Sequence, residues 1–378
     1  MPVPTSEKSG LRVLMTADAV GGVWQYALDL AEGLRPHGVQ TTLAVLGPAP
    51  SADQGHMAET TGIELVLTEL PLDWMAGRRD DVEEAGRAIA RIAENIQPDI
   101  VHLNSPALAA SATFNVPVVA VCHSCVATWW QAVRGGPLPD EFVWRKDLVQ
   151  KGYQAANMLL APTAAFARAT ARAYDLTEIP TVVRNGRRPP CLDEIASSEL
   201  FVFTAGRLWD EGKNFTSIDR AAARLAVPFL AAGPLQGPNG TRVESLNVRT
   251  LGRLSDADVA RHLGAQPIFV SSALYEPFGL AVLEAAQAGC ALVLSDIPTF
   301  RELWDGAAIF VPPNNDEAIA VAIQGLAQDS DMRRRLGSAA RELANTYSLE
   351  AMSAGAMSAY RSLIAPKSHE SSLEGAAA

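Results

Sequence analysis

Short runs rich in Val, Ile and Leu alternate with longer amphipathic stretches from residue 11 onward. A parallel sheet covered by helices on both faces has this pattern, because its strands are buried on both sides and its helices show one apolar face. In the first half, residues 11–17, 40–47, 63–68, 99–104, 116–122 and 158–163 are predicted strands. Residues 185–198 break the alternation with Asn185-Gly186, the pair Pro189-Pro190 and no periodicity, which predicts a linker. The pattern resumes at 200–206, 227–233, 248–252, 267–272, 290–296 and 307–313. Two α/β domains of doubly wound type are therefore expected, at 1–184 and 199–348. Helical spacing over 316–328, 332–347 and 349–364 follows; the last helix (349–365) is expected to return to the first domain and the tail (366–378) to be disordered. Ligands of open parallel sheets sit beyond the carboxyl ends of the strands, so two such domains would face each other across a cleft.

With 378 residues, 48% of them hydrophobic, the chain is long enough for two domains with separate cores. Its 31 basic and 42 acidic residues leave a net charge of −11, which opposes binding to a phosphate backbone. No nucleic-acid partner is expected, and membrane association is at most weak and peripheral. The first ten residues lack the features of a secretory signal and no apolar run approaches the ~20 residues that span a bilayer, so a cytoplasmic location is expected. Of the cysteines at 122, 125, 191 and 290, Cys122 and Cys125 form one close pair. A second pair that would complete a four-thiolate zinc site is missing from the sequence, and buried reduced thiols are expected with no metal or other cofactor.

Function should lie in the loops after strands. The first, T-A-D-A-V-G-G-V-W, carries adjacent Gly21 and Gly22 in place of the three spaced glycines of a dinucleotide fingerprint. It leads into a helix with Trp24, Leu28, Ala31 and Leu34 on one face. A glycine pair there serves either a tight turn or close approach of backbone amides to an anion. In the second half, Arg207 and Lys213 follow a strand end, and two cations there suit a diphosphate. Asp210 and Glu211 between them equally fit ordinary surface charges. Further on, Glu276-Pro277-Phe278-Gly279 punctuates a helix start whose body is almost without charge except Glu284. A glutamate on so apolar a helix needs a partner, and a bound polyol is one candidate.

The segment from Glu276 to Glu284, E-P-F-G-L-A-V-L-E, resembles the E-x7-E motif of the family 4 group of retaining glycosyltransferases with the GT-B fold. Gly206-Arg207-Leu208 with Gly212-Lys213, the Gly21-Gly22-Val23 loop and the two-domain layout extend the resemblance from about Leu11 to Leu363. It implies two Rossmann-like domains and a nucleotide-diphosphate sugar, UDP-glucose-like or GDP-mannose-like, as donor. Glu276 then reaches the donor sugar, the amides of Phe278, Gly279 and Leu280 meet sugar or diphosphate, and Glu284 binds the ribose. Arg207 and Lys213 hold the pyrophosphate, with Asn214 where many relatives carry glycine. Arg253 and Leu254 meet the base through backbone, and Gly22 lies on the donor. His123, otherwise readable as a structural histidine, sits beside the donor sugar; His102 is read as structural. Gly21, Trp129, Trp130 and Arg134 fall on the acceptor side, the acceptor being a sugar, a lipid-linked sugar or a small molecule.

The implied reaction is front-face hexosyl transfer to a hydroxyl, in polysaccharide or glycoconjugate synthesis, with protein cations stabilising the leaving diphosphate. No D-x-D string stands at a loop suited to a divalent ion, and the sequence Ser255-Asp256-Ala257-Asp258 reads as a helix cap. Two alternatives remain at this stage: a nucleotide-sugar epimerase or hydrolase of the same build, and a non-catalytic nucleotide-sugar-binding subunit.

Overall fold

The computed structural model describes residues 10–190 and 199–364; the second part of the expected linker, Cys191 and the tail lie outside these. The first sheet contains β1 (Arg12–Asp18), β2 (Gln40–Leu46), β3 (Glu64–Leu67), β4 (Ile100–Leu103), β5 (Val118–Val121), β6 (Met158–Ala161) and β7 (Thr181–Val182). They are all parallel, in the order β3-β2-β1-β4-β5-β6-β7. The second contains β8 (Val202–Ala205), β9 (Phe229–Ala232), β10 (Arg249–Thr250), β11 (Ile268–Ser271), β12 (Ala291–Ser295) and β13 (Ala308–Val311). It is also parallel, in the order β10-β9-β8-β11-β12-β13. In each sheet the chain starts in the interior and winds first one way and then the other, so strand order reverses at β1/β4 and at β8/β11. A crevice opens at such a reversal, because the connections on its two sides leave in opposite directions.

The central strands of both sheets are largely apolar because helices cover both faces. In the first domain Met15, Leu43 and Val119 pack toward the helix Gly22–Leu34, while Leu14, Val101 and Leu103 pack toward the helix Arg79–Ile96. The last described helix, Leu349–Ile364, joins this first core through Met352, Ala356 and Tyr360. The second domain has its own two cores, one around Phe269, Leu283 and Trp304 and one around Ile218, Val270 and Ile323.

β7 escapes the sequence pattern, since it is two exposed residues at a sheet edge after Pro180. Asn185-Gly186, which opens the expected linker, is not in a turn. The chain there runs alongside the return crossing, and a Cβ on Gly186 would lie 1.9 Å from the Ser348 carbonyl oxygen. Close approach of two backbones, rather than turn geometry, calls for glycine at this point.

Candidate active site

At the end of β1, Asp18 Oδ1 accepts hydrogen bonds from the amides of Val20 (2.9 Å) and Gly21 (3.2 Å), turning the chain into the helix that begins at Gly22. A Cβ on Gly21 would come within 3.4 Å of Arg207 Nη1, and one on Gly22 within 3.5 Å of Leu280 Cδ1. The glycine pair is thus where the first domain approaches the two motifs of the second. Burial pushes the Asp18 carboxyl up, against the pull of the two amides and of Arg207.

Arg207 follows Gly206 at the end of β8, and its Nη2 donates to Asp210 Oδ2 at 3.0 Å. A short 3₁₀ turn, Glu211–Lys213, brings Lys213 back toward the loop after β11, where its ammonium pairs with Glu276. Asn214 is left-handed (φ 54°) and its Nδ2 donates to the carbonyls of Ser272 (3.0 Å) and Pro313 (2.7 Å). Asparagine tolerates that backbone region, so it fills the position and anchors the lysine turn as well. Gly279 is also left-handed (φ 94°); it caps the helix Leu280–Gln287, and a Cβ there would crowd Glu276 Cγ and Phe300 at 3.2 Å. The Phe278 ring is buried against Tyr347, so only its backbone remains for a ligand. Arg253 is exposed after β10, and Leu254 packs on the second core.

His123 lies two residues past β5, half-buried, with its Nε2 2.8 Å from Asn104 Oδ1 and its ring edge-on to Tyr26. Asn104 Nδ2 donates to the Thr16 carbonyl at 2.6 Å, so its oxygen faces the histidine and the proton is assigned to His123 Nε2. Burial, with His102 nearby, holds the imidazole neutral and its pKa down to about 3. The Nδ1 lone pair is then the acceptor. His102 is fully buried, its Nδ1 2.7 Å from the Tyr360 hydroxyl, which ties β4 to the C-terminal helix.

Three of the expected site residues have partners within the chain. Trp129 and Arg134, expected to face an acceptor, engage the second domain: Trp129 Nε1 donates to Asp210 Oδ1 (3.3 Å) above Gly212, and Arg134 pairs with Glu211 at 2.6 Å. Trp130 lies against Trp129 and Phe142. Their helix, Val126–Val133, is a docking element, closed off by Tyr275, whose hydroxyl lies 2.9 Å from Thr128 Oγ1 and accepts from the Cys125 amide at 3.2 Å. The third is Glu284, which pairs with Arg187. Sequence reading passed over Arg187, Asp18, Asn104 and Tyr275; only Asp18, beside the glycine pair at a strand end, carried a local signal. Cys122 and Cys125 are buried free thiols, pushed up by burial. Among the described residues no three His, Cys, Asp or Glu side chains are grouped as metal ligands, and no helix is long and apolar enough to cross a membrane.

Two parallel-sheet domains meeting at their switch points, with cations and carboxylates converging opposite a glycine pair, define a GT-B glycosyltransferase. Residues 20–188 match Glycosyltransferase Family 4 and residues 195–343 match Glycosyl transferases group 1, and the chain belongs with these enzymes. A phosphatidyl-myo-inositol mannosyltransferase of Mycolicibacterium smegmatis is 24% identical over 92% of this chain and 91% of its own length. An O-antigen chain mannosyltransferase B of Escherichia coli is 30% identical over 31% of this chain and 30% of its own. Among solved structures, sucrose-phosphate synthase of Thermosynechococcus elongatus shares the fold with a TM-score of 0.77 at 18% identity, covering 93% of this chain and 99% of that one. The Anabaena HepE protein in complex with UDP-glucose shares it at 0.72 and 18%, covering 93% and 100%.

Proposed function

We propose that this glycosyltransferase moves a hexosyl group from a nucleotide-diphosphate sugar to a hydroxyl acceptor, with retention of anomeric configuration and without a metal ion. The observation that carries the reading is the convergence of Arg207, Lys213, Glu276 and the helix start at Gly279 opposite the glycine pair Gly21-Gly22. The UDP-glucose held by HepE supports a nucleotide-sugar donor, and the mannosyltransferase relatives support a hexose.

Arg207 and Lys213 are placed in this reading to meet the diphosphate, with the free amides at the helix start adding positive potential where the leaving charge develops. The Lys213–Glu276 pair puts the diphosphate-binding cation and the sugar-binding carboxylate within reach of one ligand. His123 Nδ1 accepts from a sugar hydroxyl. As the bond from the anomeric carbon to the diphosphate oxygen breaks, the acceptor oxygen bonds to that carbon on the same face, and its proton passes to the diphosphate. An epimerase or hydrolase needs an acid and a base at the sugar, and a neutral imidazole held by Asn104 is poorly suited to that work.

The test is a thermal-shift panel of nucleotide sugars including UDP-glucose and GDP-mannose, followed by acceptor trials with the tightest binder. Donor turnover without any acceptor dependence would shift the assignment to a hydrolase or epimerase. Binding without turnover across a broad acceptor panel would shift it to a binding subunit.

A further inference from the structure

Arg187 lies where the chain passes from one domain toward the other. Its amide donates to the Tyr347 carbonyl (3.1 Å) and its carbonyl accepts from Gln287 Nε2 (2.8 Å), so its backbone is held by both the return crossing and the Glu284 helix. Its guanidinium meets three carboxylates on three helices. Glu284 pairs with Nη1; Asp256 Oδ2 lies 3.3 Å from Nη2; Asp29 Oδ2, in the first domain, lies 3.7 Å from Nε. The arginine and glutamate side chains are only 16% and 17% exposed, and that of Asp29 7%. Asp29 Oδ1 accepts from Gln25 Nε2 at 2.9 Å, while its buried Oδ2 has no hydrogen-bond partner. Nearby, Arg188 pairs with Glu32 on the same first-domain helix.

We propose that Arg187 is a positioning residue for the nucleotide-sugar donor, holding Glu284 in place for the nucleoside and tying that carboxylate to Asp29 on the helix that starts at the glycine pair. This rests on the reading of Glu284 as a donor-binding residue. Without its cation, a half-buried carboxylate on an apolar helix, with Asp256 close by, turns away. With Arg187 on Oε1, the other oxygen stays oriented and open to a ribose hydroxyl. A guanidinium has the planar fork of donors needed to serve several carboxylates at once, and an ammonium does not. Asp29 sits on the helix Gly22–Leu34, whose first turn faces Arg207 and Leu280. The same arginine therefore registers the first domain against the donor end of the second.

The experiment measures binding of UDP and GDP by calorimetry, and donor and acceptor kinetics, for wild type, Arg187→Met, Arg187→Lys, Glu284→Ala and the Arg187→Met/Glu284→Ala double variant. Arg187→Met should weaken the preferred nucleotide and raise donor KM about tenfold, with kcat within about threefold and acceptor KM unchanged. Arg187→Lys should recover part of the loss, and in the Glu284→Ala background Arg187→Met should add less than about twofold, because the two act as one unit. A general structural role would lower melting temperature and kcat together and add fully in the double variant. If Arg187→Met proves unfolded, the Lys variant decides, since donor KM equal to wild type would overturn the inference. Weakened donor binding in Glu284→Ala but not in the Arg187 variants overturns this inference alone. Normal binding in Glu284→Ala, or no nucleotide bound by wild type, removes the reading beneath it.

Discussion

Glu276 and Lys213 form an ion pair at the cleft, and each is assigned to a different part of the donor. Glu276→Gln should abolish transfer with the fold retained, since the change keeps volume and removes only the charge; near wild-type turnover of the purified variant would refute the role. Arg207→Ala and Lys213→Ala should each lower kcat by about tenfold or more, the scale of removing a charge-stabilising group. Unchanged kinetics in both would take them out of the site. His102 gives a prediction about stability. Burial holds its imidazole neutral, with the pKa lowered to about 3. An unfolded histidine titrates near 6.5, so below about pH 6.5 the unfolded chain binds a proton that the native one does not. Stability therefore falls as pH drops toward about 3, by up to about 1.4 kcal/mol per pH unit from this group. Asp29, with its carboxyl pushed up to about 7 by burial, works in the opposite sense and is common to wild type and variant. Urea unfolding at pH 7.5 and 5.5 should show a smaller acid-induced loss for His102→Gln than for wild type; equal losses would mean that His102 titrates normally.

At the scale of elements, the segments joining the two domains are as constrained as the sheets. Gly186 and Ser348 belong to two crossings so close that a Cβ on Gly186 would overlap the Ser348 carbonyl. Gly186→Ala should cost more than about 2 kcal/mol by denaturant midpoint, and a loss within error would show that the crossing is loose. Glu302, from the second domain, accepts from the amides of Ala164 (2.9 Å) and Ala165 (2.7 Å), capping the first-domain helix Ala164–Ala173. Strands and long helices were legible because burial on two faces or on one stripe imposes a local period. The helices Asp316–Gln328 and Leu349–Ile364 occupy the spans that their spacing predicts. β7 was not legible, because two residues hold no period.

For the whole molecule, the groups assigned to the donor in the proposed reading come from the second domain, and Gly21 and Gly22 face Arg207 and Leu280 from the first. On the proposed mechanism, an α-linked donor should give an α-linked product, read by proton NMR of the anomeric signal in the first product formed. A β-linked product would sink the same-face mechanism. Transfer should also survive EDTA, because Arg207 and Lys213 are assigned the charge that a divalent ion would otherwise balance. Activity lost to chelation and restored by magnesium or manganese would contradict that assignment.

The amino-acid sequence alone determined the two-domain α/β organisation and put Arg207, Lys213, Glu276 and Gly279 in loops after strands. Each of these depends on composition and spacing within a few turns of chain. Tertiary structure decided which charges meet. Nothing near Glu284 in the sequence points to Arg187, 97 positions away, and nothing near Trp129 or Arg134 points to the loop 210–212 on which they dock. It also decided that the Asn104 carbonyl takes the Nε2 proton of His123, leaving Nδ1 as the acceptor. A hydrophobic period records how deeply a residue is buried, whereas an ion pair or hydrogen bond depends on the direction from which another element arrives. That direction is set only when the two sheets, the crossing at Gly186 and the returning C-terminal helix pack together.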